Sequence, residues 1–143
     1  MKDRTPNDNK KDYGNAPFAI NIDKEVKENP YYRRALWTGK HLQVTLMSIP
    51  PRGDIGLEIH PDVDQFIRIE SGFGLAKMGK HQNSLDRIFR VNSSSAVFVP
   101  SGTWHNIINI GNTPLKLYSV YAPPQHPHGT VHETKKIAEE QGD

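Results

Sequence analysis

Seven histidines are spread along a chain that contains no cysteine. Without thiolates there is no disulfide framework, no sulfur metal site and no Cys nucleophile, so any metal must be held by imidazole, carboxylate or amide groups. Two histidines have surroundings suited to that task. His60 follows Glu58 by two positions, and residues two apart on an extended strand project from the same face. The turn at residues 61–64 reverses the chain, so Gln65, opening the returning strand, is expected to face Glu58 and His60 across a hairpin. His105 starts a later strand, directly after Pro100-Ser101-Gly102-Thr103. If the strands close around one interior, these four side chains can converge there. Two imidazoles and one carboxylate with open positions form the facial set of mononuclear non-haem iron, and the same donors hold Mn, Ni, Co or Zn. A neutral amide at Gln65 leaves such a centre with a net charge near +1, which favours an anionic or enolisable oxygen ligand.

The elements that must position these residues are predominantly strands. Apolar and β-branched runs fall at 42–49, 55–60, 65–70, 72–78, 85–91, 96–99, 105–110 and 115–121, with turn residues between them. A spacing of about ten residues is that of an antiparallel sandwich or barrel. Gly and Pro, 11 each, fit a turn-dense β chain. A short helix is predicted from Asp23, as N-cap, to Asn29-Pro30, which ends it. A second is predicted over 130–141, with Thr130 and Glu133 at capping-box spacing. Residues 1–15 read as a flexible polar arm and 16–143 as one domain, with the barrel core at about 40–122 and a C-terminal loop and helix at 123–143. The run Ala122 to Gly129, with His126 and His128 around Pro127, is predicted to be a mobile loop that could serve as a lid.

The residues 100–109, PSGTWHNIIN, fit the second motif of the cupin superfamily, PxGxxHxxxN, at every fixed position. Upstream, Glu58-x-His60 takes the place of HxH in the first motif, Gln65 that of its Glu, and Gly72 that of its Gly. The sequence thus resembles a single-domain cupin with two substitutions in the first motif. The segments WTGKHLQVTLMSI, GLEIHPDVDQFIRIESG and LKLYSVYAPPQHPHGTVH are similar to small bacterial cupins of the phosphomannose-isomerase-like group. The resemblance implies an all-β jelly-roll barrel, with a short helix at each end, around one divalent metal (Fe, Mn, Zn or Ni) on Glu58, His60, Gln65 and His105. It also implies a metal-dependent enzyme acting on a small oxygen-rich molecule, a sugar, sugar phosphate or sugar acid, by isomerase- or lyase-type proton transfer. Glu58 is the one carboxylate available as a base, provided it leaves the metal. A non-haem iron dioxygenase and a non-catalytic sugar- or metal-binding cupin are the alternatives.

Further readings follow from alternation. Gln43, Thr45 and Met47 share one strand face and, with Tyr121, are candidates for a substrate pocket. Arg68 alternates away from Gln65, and Asn109 lies too far along its strand from His105 to join the site, so it is expected to act as a turn or hydrogen-bonding residue. Trp104 is expected to pack and fix His105. A formal charge of +2 over 143 residues provides no basic field for nucleic acid. No run of 18 apolar residues suggests a membrane span, and no leader is visible in the first residues, so a cytoplasmic protein is expected. Outward Leu57, Ile59 and Phe66 suggest a homodimer contact.

Overall fold

The computed structural model describes residues 11–142. Helix α1 (Ile22–Glu28) precedes strands β1 (Arg33–Thr38), β2 (Gln43–Ile49), β3 (Asp64–Ser71), β4 (Gly74–Gly79), β5 (Arg87–Val91), β6 (Ala96–Val99), β7 (Trp104–Asn109), β8 (Leu115–Ala122) and β9 (Val131–His132). Helix α2 (Lys135–Glu140) closes the described chain. The strands form two antiparallel sheets, one ordered β6-β3-β8-β2-β1-β9 and the other β5-β4-β7. Between them lies an apolar core that includes Met47, Ile49, Ile67, Ile69, Ile107 and Leu117. The all-β jelly roll with short terminal helices is thus present.

One row across the larger sheet matters for function. Gln43 pairs with Tyr121, Tyr121 with Gln65, and Gln65 with Val99. All four are buried, and Val99 belongs to the core between the sheets, so the row faces inward at one end of the sandwich. On the other side of this sheet Leu46 packs with Val26 of α1 and Leu36. With both faces covered, β2 is buried at Gln43, Thr45, Leu46, Met47 and Ile49 instead of alternating cleanly.

Local signals place the ends differently from the sequence prediction. Asn21, not Asp23, caps α1, its Oδ1 accepting the Lys24 N–H at 3.1 Å. Asp23 falls in the first turn, where its charge suits the helix dipole, and lies 3.2 Å from Lys27. Thr134 caps α2 in place of Thr130, because Val131 and His132 are drawn out as β9 against β1. Lys11 to Asn15 do not trail as an arm. The Asp12 carboxylate is fully buried and accepts from the Thr38 N–H (3.0 Å), the Thr38 hydroxyl (2.6 Å) and the Gly129 N–H (2.9 Å). Residues 1–10 of the expected arm lie outside the described residues.

Candidate metal centre

The segment expected as a strand at 55–60 pairs as isolated bridges, Asp54 to Ile108 and Glu58 to His105, and not as a continuous strand. It lies along the open edge of β7 and does not form a hairpin with β3. Glu58 N–H donates to the His105 carbonyl and His105 N–H to the Glu58 carbonyl, both at 3.0 Å. The two candidate ligands are therefore backbone partners, although 47 positions separate them in sequence. The His60 carbonyl accepts from Gly102 N–H at 2.9 Å, which seats the third ligand on the turn before β7. Gly102 has φ +76, a left-handed conformation suited to glycine, and this explains its place in the motif.

Glu58, His60 and His105 offer ligand atoms that all lie within 4.8 Å of one another. Glu58 Oε1 is 3.6 Å from His60 Nε2 and 3.8 Å from His105 Nε2, too far for hydrogen bonds but suited to donors around a shared centre. The two imidazole rings are 5.3 Å apart and tilted by 54°. His105 Nδ1 lies 2.9 Å from the Thr103 carbonyl. That contact requires the proton on Nδ1, so Nε2 presents its lone pair inward. Burial holds the His105 pKa below its ordinary value, reinforced by His60 and opposed by the Thr103 carbonyl and Glu58, so the ring favours the neutral form that a metal needs.

The donor chemistry fits a cation on a further ground. His60 Nε2, His105 Nε2 and Gln65 Oε1 are buried and have no hydrogen-bond partner. Such atoms are normally satisfied in folded proteins, and a metal on the two clustered imidazoles would satisfy both Nε2 atoms. Gln65 pairs with Tyr121 and Val99, not across from Glu58 and His60 as a hairpin would require. Its Nε2 donates to Ser119 Oγ at 3.2 Å, which leaves Oε1 as the free donor. Ser119 was not singled out in the sequence, although its parity with Tyr121 and Leu117 placed it on the inner face. The Thr103 carbonyl, a backbone atom, left no residue-type signal.

Other predicted residues take varied places. Tyr121 sets its ring edge-on to His60 at 5.8 Å. Met47 lies in the apolar core, and Thr45, fully buried, pairs with Ser119. The Gln43 side chain binds the backbone of Gln125 and His126. Arg68 faces outward to Glu70 at 3.0 Å. Asn109 is a structural hydrogen-bonding residue, its amide donating to the Ile49 and Thr113 carbonyls and its Oδ1 accepting the Gly111 N–H. Trp104 is half-buried, and the side-chain contact that fixes His105 comes from Thr103.

Glu58 and His60 open into a cavity of about 590 Å³ that His126, Thr130, His132 and Glu139 also line. A larger groove, about 730 Å³, lined by Phe89 and Phe98, includes none of the three ligand candidates. Residues 122–129, predicted to be mobile, are instead pinned by Gln43 at one end and by Asp12 at the other. Among the described residues no helix is long and apolar enough to cross a membrane.

Two facing antiparallel sheets with a Glu and two His gathered at one end define a cupin. Residues 45–121 match the cupin domain family, and the chain belongs to it. The chain is 64% identical over 128 residues to the uncharacterized protein YrkC of Bacillus subtilis (strain 168), covering 90% of this chain and 69% of that protein. It is 45% identical over 118 residues to the uncharacterized protein L612 of Acanthamoeba polyphaga mimivirus, covering 82% of this chain and 72% of that one. The crystal structure of BH2720 from Bacillus halodurans is similar at TM-score 0.90 and 61% identity, covering 91% of this chain and 98% of that one.

Proposed function

We propose that the chain is a metal-dependent enzyme acting on a small oxygen-rich molecule, of the sugar, sugar phosphate or sugar acid class, by isomerase- or lyase-type proton transfer. The observation that carries this reading is the convergence of Glu58, His60 and His105 with both inward Nε2 atoms buried and unpartnered. Gln65 would supply the fourth donor through Oε1. When bound there, a divalent cation supplies Lewis-acid polarisation of a substrate oxygen. The Thr103 carbonyl orients His105, while burial of His60, His105 and Gln65 keeps water from their donor atoms. Glu58 is 21% exposed and borders the cavity, so its carboxylate would exchange a proton with a substrate there once it leaves the metal. The sugar class rests on the resemblance of the segments at 37–49, 56–72 and 115–132 to the phosphomannose-isomerase-like group.

The test is elemental analysis of protein purified without added metal, followed by proton–deuterium exchange at the carbon acids of candidate sugars. Near-stoichiometric Mn, Zn or Ni with exchange supports the reading; no metal after reconstitution overturns it. A second reading, an iron dioxygenase, draws on the same two-His, one-carboxylate set. Iron with substrate-dependent oxygen uptake would favour it over the first.

A further inference from the structure

Gln43 is fully buried, does not line the cavity, and makes no side-chain hydrogen bond to a candidate ligand. Three of its four hydrogen bonds go to one short stretch of chain. Its Oε1 accepts the N–H groups of Gln125 (3.1 Å) and His126 (2.9 Å), and its Nε2 donates to the His126 carbonyl (2.8 Å) and to Thr38 Oγ1 (2.9 Å). One side chain thereby fixes the backbone on both sides of the His126 side chain. The ring is fixed as well: His126 stands edge-on to Tyr121 at 5.2 Å and 81°, and Tyr121 stands edge-on to His60 at 5.8 Å and 85°. Tyr121 thus contacts both the candidate ligand His60 and His126, and His126 lines the same cavity as Glu58. Asp12 pins the far end of the segment through Gly129, and His128 Nε2 donates to the Gly14 carbonyl at 2.8 Å.

A histidine whose backbone is held by a buried amide, and which lines the same cavity as Glu58 and His60, borders the space a ligand would enter. We propose that His126 is the side chain that hydrogen-bonds the outer oxygen of a small hydroxy acid or hydroxy carbonyl compound seated on the centre, and that Gln43 is its positioning residue. An imidazole can donate to or accept from such an oxygen. Because Gln43 holds the segment in place before ligand arrives, little ordering is left for binding to accomplish. The proposal rests on the metal-centre reading above, and its test separates the two.

Full-length protein is loaded with Co²⁺, whose visible spectrum reports the centre, and titrated with glycolate. His126→Ala is expected to bind Co²⁺ within about twofold of wild type and glycolate about tenfold more weakly, the size of one lost hydrogen bond. His126→Gln, which keeps a hydrogen-bonding group, is expected to recover part of the loss. Gln43→Leu is expected to weaken glycolate similarly and to add nothing in combination with His126→Ala, the non-additivity of residues acting as a unit. Equal glycolate affinity in wild type and His126→Ala overturns the role of His126 while leaving the metal reading standing. Additive losses overturn the positioning role of Gln43. Failure of wild type to bind Co²⁺ overturns the metal reading, and this proposal with it.

Discussion

At the scale of single residues, Gln65 is the position where this chain departs most usefully from its family's motif. Its Oε1 is buried and unpartnered and its Nε2 rests on Ser119. Under the proposed metal reading, Gln65→Glu would add a second carboxylate where a neutral amide now stands. Metal affinity is expected to rise about tenfold in competition with a chromophoric chelator, the size of one favourable charge interaction. His105→Ala should have the opposite effect. It removes a donor with no substitute nearby, and elemental analysis should find stoichiometry near zero while circular dichroism shows the fold intact. The clustering of Glu58, His60 and His105 was legible because they sit in motifs whose spacing reflects strand geometry. The partner assignments were not, since whether Gln65 faces Glu58 or Tyr121 depends on which strand lies beside β3. Sequence adjacency favoured the hairpin, whereas β3 pairs with β8 and β6.

At the scale of elements, the edge of the cavity depends on how α2 is tied down. Lys135 Nζ lies 2.5 Å from Asp54 Oδ1, and Asp54 Oδ2 accepts from Asn106 Nδ2 at 2.9 Å. One carboxylate thus joins the last helix to the segment carrying Glu58 and to β7, which carries His105. Burial would raise the Asp54 pKa, but the hydrogen bonds from Lys135 and Asn106 and the Lys135 charge outweigh it and hold the pKa below 3.8. A carboxylate depressed on folding stabilises the native state fully above its unfolded pKa, and that contribution is lost as the pH falls through the lowered value. Lys135→Met is therefore expected to lower Tm at about pH 7, with the difference shrinking as the pH falls through the lowered Asp54 pKa. Amide exchange in α2 should report the same contrast. This link was hidden in the sequence because 81 positions separate its ends. The helix itself was legible from its polar, helix-forming run, but its start slipped by one turn when β1 recruited Val131 and His132.

Gly72 also belongs to this scale, as the corner between β3 and β4. Its φ is +100, and a Cβ there would meet Leu115 Cα and the Pro114 carbonyl at 3.0 Å. Backbone strain and backbone crowding coincide, and movement of the Leu115 side chain, 3.1 Å away, would relieve neither backbone contact. Gly72→Ala is expected to cost about 2 kcal/mol, read from denaturant midpoints at unchanged m. The glycine was recognisable from its motif position, but its physical reason required the packing of the β8 start against that corner.

At the scale of the whole molecule, a bound cation would link the fold and the candidate centre thermodynamically. The two-sheet architecture was legible because eight short runs at regular spacing admit few alternatives, and the outer cover of α1 and residues 11–20 was not, since Tyr13 and Ile20 gain meaning only against Leu46 and Leu36. Inside that shell His60 Nε2, His105 Nε2 and Gln65 Oε1 are buried without partners, an arrangement that costs about 1–3 kcal/mol for each such atom. A cation that binds only the folded chain adds about 2.7 kcal/mol at a free concentration one hundred times its Kd. For a domain of this size each kcal/mol moves Tm by roughly 2–4 °C. Wild type should therefore melt about 5–10 °C higher in saturating Mn²⁺, Zn²⁺ or Ni²⁺, or in Fe²⁺ under anaerobic conditions, than after chelation. His105→Ala should show no such increment, because its site lacks the donor that Thr103 orients. An equal rise in both proteins would place the ion elsewhere on the surface, and no rise in either would mean that the orphaned donors are retained for something other than a metal.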